Sequence, residues 1–249
     1  MSYLNGQTGY REDLLNTRSV VKMGSYAVIE PDGIVKNAIP GYENCDVTIL
    51  GSPAMGATFA DYLITVHEIT VKNADEEATL TEGGYIYSPV SNTIAIKNAG
   101  KEDAKLFAYK RRYEAVEGYS AHTVVANIND TPWMPYEGME NCHSKDFLPA
   151  AGDFGFDMNM HLLKFKLGGS HGYIETHIQQ HGMYFLQGKA MYRIGDDWIP
   201  LKKGDYVFMD CYCPQACYGV GKDEDLIYIY SKDCNRDVQL YAVPEQTIP

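Results

Sequence analysis

Gly169-Ser-His-Gly-Tyr-Ile-Glu175-Thr-His177-Ile-Gln-Gln-His181-Gly-Met-Tyr-Phe-Leu-Gln-Gly188 is the stretch on which the reading of this chain turns. Glycines bound it at both ends. Between them Glu175, His177 and His181 fall at i, i+2 and i+6. Every offset is even, so on extended chain the three side chains share one face. A carboxylate and two imidazoles on one wall make three metal ligands with coordination positions left open. Gln215, from a later segment, can supply a fourth through its amide oxygen. A lone histidine is ordinarily a satisfied polar residue. Three ligand-type residues on one strand face favour the metal reading over that one.

Outward from this stretch the pattern stays β-like. Met160–Leu167, Met183–Leu186, Met191–Ile194, Tyr206–Met209 and Leu226–Tyr230 alternate with period two between glycines and turn residues, which predicts strands. Gly195-Asp196-Asp197 reads as a hairpin turn before Trp198. The chain holds 20 tyrosines among 249 residues and few long runs of strong helix formers, which also leans toward β structure. Many short strands at this spacing point to a sandwich or barrel.

An internal repeat accompanies the pattern. Leu80, Gly83 and Tyr85 match Leu201, Gly204 and Tyr206, and Tyr109 and Arg111 match Tyr230 and Lys232, all at an offset of 121. The chain therefore reads as two halves of one design, divided as 1–145 and 146–249, with Thr123–Phe147 as connector. Upstream, Phe59-Ala-Asp-Tyr62 resembles Phe156-Asp-Met-Asn159 at an offset of only 97, so the first half is 24 residues short between about Val66 and Leu80. Two explanations are open. The lobe is truncated and another subunit covers the new edge. Alternatively, a mobile stretch near His67–Lys72 is missing and the numbering closes over it. The intact repeat on both sides favours the second, and a Cα step well beyond 3.8 Å between Val66 and Asn73 would mark it.

Charge and composition narrow the partners. The formal net charge is −12, and the one basic run, Lys110-Arg111-Arg112, lies in a strand-like segment. No basic face for nucleic acid is expected. No stretch of 18 apolar residues is present, so no membrane-spanning helix is expected. The start, MSYLNGQTGYREDL, lacks the apolar core of a signal peptide, and a cytoplasmic protein with six free thiols is expected. Cys211, Cys213 and Cys217 crowd near Gln215, but their spacing is a poor zinc signature, and they read as small apolar fillers.

The Gly169–Gly188 stretch resembles the first motif of the cupin superfamily, which runs Gly, five residues, His-x-His, three or four residues, Glu, six residues, Gly. The spacing is kept, while the first His and the Glu have traded places. The second motif runs from a Gly to a His eleven residues on; here Gly204 leads to Gln215, and Asp210 and Tyr212 replace the usual Pro and Gly. The resulting Glu/His/His/Gln set is similar to that of the (S)-ureidoglycine aminohydrolases. Thr8-Gly-Tyr-Arg-Glu-Asp-Leu14, Pro40-Gly-Tyr-Glu-Asn44, Tyr109-Lys-Arg-Arg-Tyr113, Phe156-Asp-Met-Asn-Met160 and Tyr230-Ser-Lys-Asp-Cys-Asn-Arg236 carry the same resemblance over nearly the whole chain.

That resemblance implies an all-β bicupin, two double-stranded β-helix (jelly-roll) barrels with the N-terminal one degenerate. It implies a homo-oligomeric, manganese-dependent hydrolase that releases ammonia from (S)-ureidoglycine to give (S)-ureidoglycolate in allantoin (purine) degradation. Mn²⁺ falls to Glu175, His177, His181 and Gln215, the substrate carboxylate to Lys232, proton transfer to Tyr192 and Tyr228, and the ureido group to Asn159. The first half keeps Gly83, Pro89 and Asn98 of the second motif but has Ile94 at its ligand position and His67 as a lone candidate, so it reads as structural. A metal dioxygenase, a sugar isomerase and a non-enzymatic binding cupin are the rival readings; Gln215 in place of His counts against the usual iron dioxygenase set.

Overall fold

A computed structural model describes residues 18–31, 36–66, 71–72, 77–90, 92–98 and 101–236. Among these residues there are strands and single-turn 3₁₀ helices but no α-helix. The strands that matter for the site are β1 (Val20–Lys22), β2 (Tyr26–Ile29), β3 (Cys45–Gly51), β4 (Phe59–Val66), β5 (Ala104–Arg111), β6 (Cys142–Asp146), β7 (Met158–Phe165), β8 (His181–Gln187), β9 (Lys189–Ile194), β10 (Asp197–Lys202), β11 (Tyr206–Met209), β12 (Gln215–Gly219) and β13 (Leu226–Asp233).

The second half closes around one apolar interior. An eight-stranded sheet runs β1-β2-β11-β8-β13-β7-β6 and ends on Met134–Pro135, and a three-stranded sheet, β10-β9-β12, faces it. Phe165, Met183, Phe185, Tyr192, Leu201 and Tyr228 fill the space between, each 2% exposed or less. Burying each such side chain contributes roughly 1.5–3 kcal/mol. The predicted strands are present with shifted ends. Residues 166–169 are not strand; Gly168 adopts φ +74° and Gly169 N–H donates to Lys166 O at 2.7 Å, so β7 stops at Phe165. Gly195 takes φ +60° at the expected hairpin turn between β9 and β10.

The sheets do not divide at residue 145. β1 and β2 leave the first half and extend the second half's sheet, with Tyr206↔Ile29 and Met209↔Tyr26 in register. Residues 134–135 and β6 join the same sheet. β6 pairs β7 from Cys142↔Phe165 to Asp146↔His161, so the connector is largely a wall of the second lobe.

The first half packs its strands in smaller sheets. β5-β4-β3 with Lys36–Asn37 form one, Val124–Asn127 pairs Gly84–Tyr87, and Val71–Lys72 lies between Glu77–Ala78 and Ala95–Ile96. Gly83 and Gly204, matched in the repeat, take φ +82° and +89°. Asn98 is buried and its amide donates to Val66 O at 3.1 Å and Glu102 O at 2.8 Å. His67 and the Cα steps from residue 67 to 70 and at Asn73 lie outside the described residues. All six cysteines are free thiols. No helix among the described residues is long and apolar enough to cross a membrane.

Candidate metal and substrate site

Cross-strand pairing sets out the site as rows on the inner wall. His181 on β8 stands opposite Lys232 on β13, and Lys232 opposite Asn159 on β7. One row deeper, Met183 faces Tyr230, which faces His161. Period two turns these residues, with Leu163 and Tyr228, toward the same interior.

Glu175 and His177 reach the site differently from what the even spacing predicts. They are not on one strand with His181, because β8 begins only at His181. Residues 171–180 form a loop whose backbone groups find partners on β12 and on the turn before it. Glu175 and Gln215 exchange both backbone bonds at 2.8 Å, an isolated bridge that sets their side chains together. Tyr212 N–H donates to His177 O at 2.7 Å, and Tyr212 takes φ +60° to do so. At the far end the Gln180 amide is wholly engaged. It accepts from Thr58 N–H (2.8 Å) and Oγ1 (2.9 Å), and donates to Gly56 O (2.9 Å) and Asp210 Oδ1 (2.7 Å).

The four donor side chains meet around His177 Nε2. His181 Nε2 lies 2.8 Å from it, the Gln215 amide 3.2 Å and Glu175 Oε1 3.4 Å. Among the described residues no three His, Cys, Asp or Glu side chains stand open as a ready cage; these donors are closed onto one another. His181 Nδ1 lies 3.3 Å from Ser231 O. A carbonyl can only accept, so Nδ1 carries the proton and Nε2 keeps its lone pair, the tautomer a metal requires. Burial, His177 and Lys232 push the His181 pKa well down, keeping the ring neutral. For Glu175 burial works upward, but the hydrogen bond and charge of His177, with Lys232, outweigh it and hold the pKa below the usual value.

Gln215 presents its amide nitrogen to His177 and its oxygen to Tyr192 Oη at 3.1 Å. A half-turn of the amide exchanges the two, since the terminal torsion is roughly two-fold and a phenol can donate or accept. Carboxylate, two imidazoles and an amide oxygen form a hard N/O set of the kind manganese accepts. The residues fit the cation expected from the sequence.

A cavity of about 20 Å³ adjoins these donors, lined among others by Glu175, His181, Gln215, Tyr228 and Lys232. A second, of about 360 Å³, shares Tyr136, Tyr230 and Lys232 with it and is lined also by Asn159 and His161. Lys232 thus borders both cavities and Tyr228 the inner one. Tyr192 stands behind Gln215 and reaches Tyr228 Oη at 3.4 Å. Asn159 is on the wall, but its amide is taken: Oδ1 accepts from Leu148 N–H at 2.9 Å and Nδ2 donates to Leu148 O at 3.2 Å. The sequence reading missed Tyr136, whose Oη is 3.5 Å from Glu175 Oε1, and the cavity-lining His171. Nothing separates Tyr136 from the other tyrosines on paper. His171 carried a signal, its place in the Gly169–Gly188 stretch.

No family model matches the chain. A relative from Escherichia coli, (S)-ureidoglycine aminohydrolase, is 49% identical over 263 residues, covering 96% of this chain and all of the relative. Since 96% of 249 residues is about 239, about 24 aligned positions have no residue in this chain, the same size as the shortfall between the two halves. An Arabidopsis thaliana protein of the same name is 28% identical, covering 89% of this chain and 79% of the relative. The solved structure of the protein Ylba from E. coli superposes with TM-score 0.80 at 46% identity, covering 92% of this chain and 99% of that one. Bacillus subtilis oxalate decarboxylase superposes with TM-score 0.66 at 9% identity, covering 88% of this chain and 79% of that one, a likeness of fold alone.

Fold and site together define an all-β protein of the cupin class, with its donor cluster in the second lobe. Within that class, identity over nearly the full length decides the family: the chain belongs to the (S)-ureidoglycine aminohydrolases.

Proposed function

We propose that this protein releases ammonia from (S)-ureidoglycine, giving (S)-ureidoglycolate in allantoin degradation, and that it does so with manganese. The observation that carries the reading is the meeting of Glu175, His177, His181 and Gln215 within 3.4 Å of one ring nitrogen, beside Lys232. The chain's 49% identity to the E. coli aminohydrolase supports it. Manganese held by these four side chains would supply Lewis acidity to the carbon–nitrogen centre that loses its amine.

The chain's own residues do the rest. Lys232 binds the substrate carboxylate by a charge-assisted bond. Tyr228 lines the inner cavity and its Oη–H donates a hydrogen bond to the substrate beside the departing amine; burial pushes its pKa well above the usual value, so it orients the substrate as a neutral phenol. Tyr192 acts through Gln215, pairing with the end of the amide that does not face the donor cluster. Asn159 fixes the cavity wall through Leu148 and leaves the ureido group to other donors.

The same reading makes the protein a cytoplasmic homo-oligomer. Six free thiols support a reducing compartment. The exposed pair Trp198 and Tyr218, ring centroids 5.4 Å apart, supports a contact face.

Ammonia release from freshly made ureidoglycine tests the reading. Release is expected with manganese, lost on chelation and regained when manganese is restored. Release that chelation leaves untouched would refute the metal role, and no release at all would refute the substrate. Oxygen consumption in its place would identify a dioxygenase.

A further inference from the structure

His171 belongs to the Gly169–Gly188 stretch, yet none of the roles above uses it. It is 4% exposed. Two bonds hold it to β12: its backbone N–H donates to Cys217 O at 3.0 Å, and Cys217 N–H donates to ring Nδ1 at 3.1 Å. Phe165 packs against the ring edge-on at 5.0 Å, and the Tyr136 ring lies 6.0 Å away. A nitrogen that accepts a backbone N–H carries no proton of its own. The ring is therefore the neutral tautomer with its proton on Nε2. Nε2 is buried and has no hydrogen-bond partner in the protein. The ring lines the inner cavity with Glu175, Gln215 and Lys232.

Leaving a buried donor unpaired is costly unless a ligand or water supplies the acceptor. The cavity of about 20 Å³ exceeds the ~10–15 Å³ one water needs, so there is room beside the ring for an acceptor atom. The occupant's chemistry follows from the neighbours. An ammonium offers no acceptor to an N–H. A carboxylate is matched by the cationic Lys232 and repelled by Glu175. A neutral carbonyl suits a neutral donor flanked by aromatic rings.

We infer that His171 is a substrate-binding residue whose Nε2–H donates to the carbonyl oxygen of the ureido group, so that the site selects substrates carrying a carbonyl at that end. The inference rests on the function proposed above. It makes the histidine's two nitrogens separable: Nδ1 holds β12 in place, and Nε2 reads the ligand.

Two substitutions separate them. His171→Asn places an oxygen near the position of Nδ1 and removes the Nε2 donor. His171→Gln places an amide N–H near Nε2 and gives up the Nδ1 acceptor. In the manganese-loaded protein, His171→Asn is expected to raise KM for ureidoglycine about tenfold or more, the scale of one hydrogen bond. It should weaken inhibition by N-carbamoylglycine by a similar factor, leave inhibition by glycine (which has no ureido group) unchanged, and unfold in urea near the wild type. His171→Gln is expected to keep KM within about threefold while unfolding earlier. Wild-type KM in the Asn variant, or equal weakening of N-carbamoylglycine and glycine, would overturn the inference. So would a loss of binding in both variants that tracks stability. Wild-type protein that releases no ammonia overturns the proposed function instead, and calorimetric binding of N-carbamoylglycine to wild type and His171→Asn still decides the histidine's role.

Discussion

Asp61 tests how the two lobes are joined. It sits on β4 of the first half, is 0% exposed, and accepts from Tyr206 Oη at 2.7 Å and Ser231 Oγ at 3.5 Å. Its Oδ1 has no partner. Burial pushes the pKa from 3.8 up to about 7, and the bonds from Tyr206 and Ser231 only partly oppose it. An acid whose folded pKa lies above its unfolded value binds more protons when folded. Stability is then fully present below the unfolded pKa and is lost as pH rises through the folded pKa. Here the window runs from 3.8 to about 7. A change of about 3 at 1.36 kcal/mol per pKa unit gives about 4 kcal/mol lost above the window. Asp61→Asn keeps an acceptor for Tyr206 and removes the titration. Urea unfolding of both proteins is expected to show the variant gaining on the wild type by about 2–3 kcal/mol between about pH 5 and about pH 8, with no further gain above. A difference that stays constant over that range would refute the argument, because an ionised Asp61 at both ends would have to be equally tolerated.

Lys232→Met is expected to lower kcat/KM for ureidoglycine by about 10- to 100-fold, the scale of a charge-assisted bond, while bound manganese measured by elemental analysis is unchanged. Unaltered kinetics would make Lys232 a bystander. Gln180→Ala removes an amide that satisfies four partners in the two lobes and is expected to cost about 3–5 kcal/mol in urea unfolding. A loss under about 1 kcal/mol would show that water replaces the amide and that the clamp is dispensable.

The second lobe was the more legible part of the fold because its strands carry local signals. Met191–Ile194 and Tyr206–Met209 alternate or run apolar between glycines, and Gly195 and Gly204 sit at positive φ where the turns fall. The strand exchange at the N-terminus was not legible. Tyr26–Ile29 has an ordinary strand composition, and its partner Tyr206–Met209 lies about 180 residues away, a separation that no local period encodes. At the site, residue type was the signal. Glu, His, His and Gln were readable as hard donors before any geometry, whereas the assumption that even spacing means one strand face failed. Isolated bridges to β12 at Gln215 and Tyr218, with Tyr212 just before it, supply the backbone partners there in place of a continuous ladder. Asn159 shows the opposite limit: the sequence gives its position on the wall but not that Leu148 already occupies its amide.

These contacts assign a function to the lobe that brings no donor to the cluster. His181 and Gly182 open β8, and both neighbours of His181 are held from the first half. Gln180 is bound by Thr58 and Gly56 on one side. On the other, a Cβ at Gly182 would lie 1.8 Å from Asp61 Oδ2 and 2.6 Å from Tyr206 Oη, so that carboxyl is packed directly beneath the strand. Arg111, the repeat counterpart of Lys232, turns instead to Asp157, 3.3 Å from Oδ2 and donating to its backbone oxygen at 3.0 Å. A donor cluster needs its side chains held to within a fraction of an ångström. In this chain the rigidity at His181 comes from across the lobe boundary. Loosening Gln180 or Asp61 should therefore weaken metal retention as well as stability, although neither residue touches the cluster.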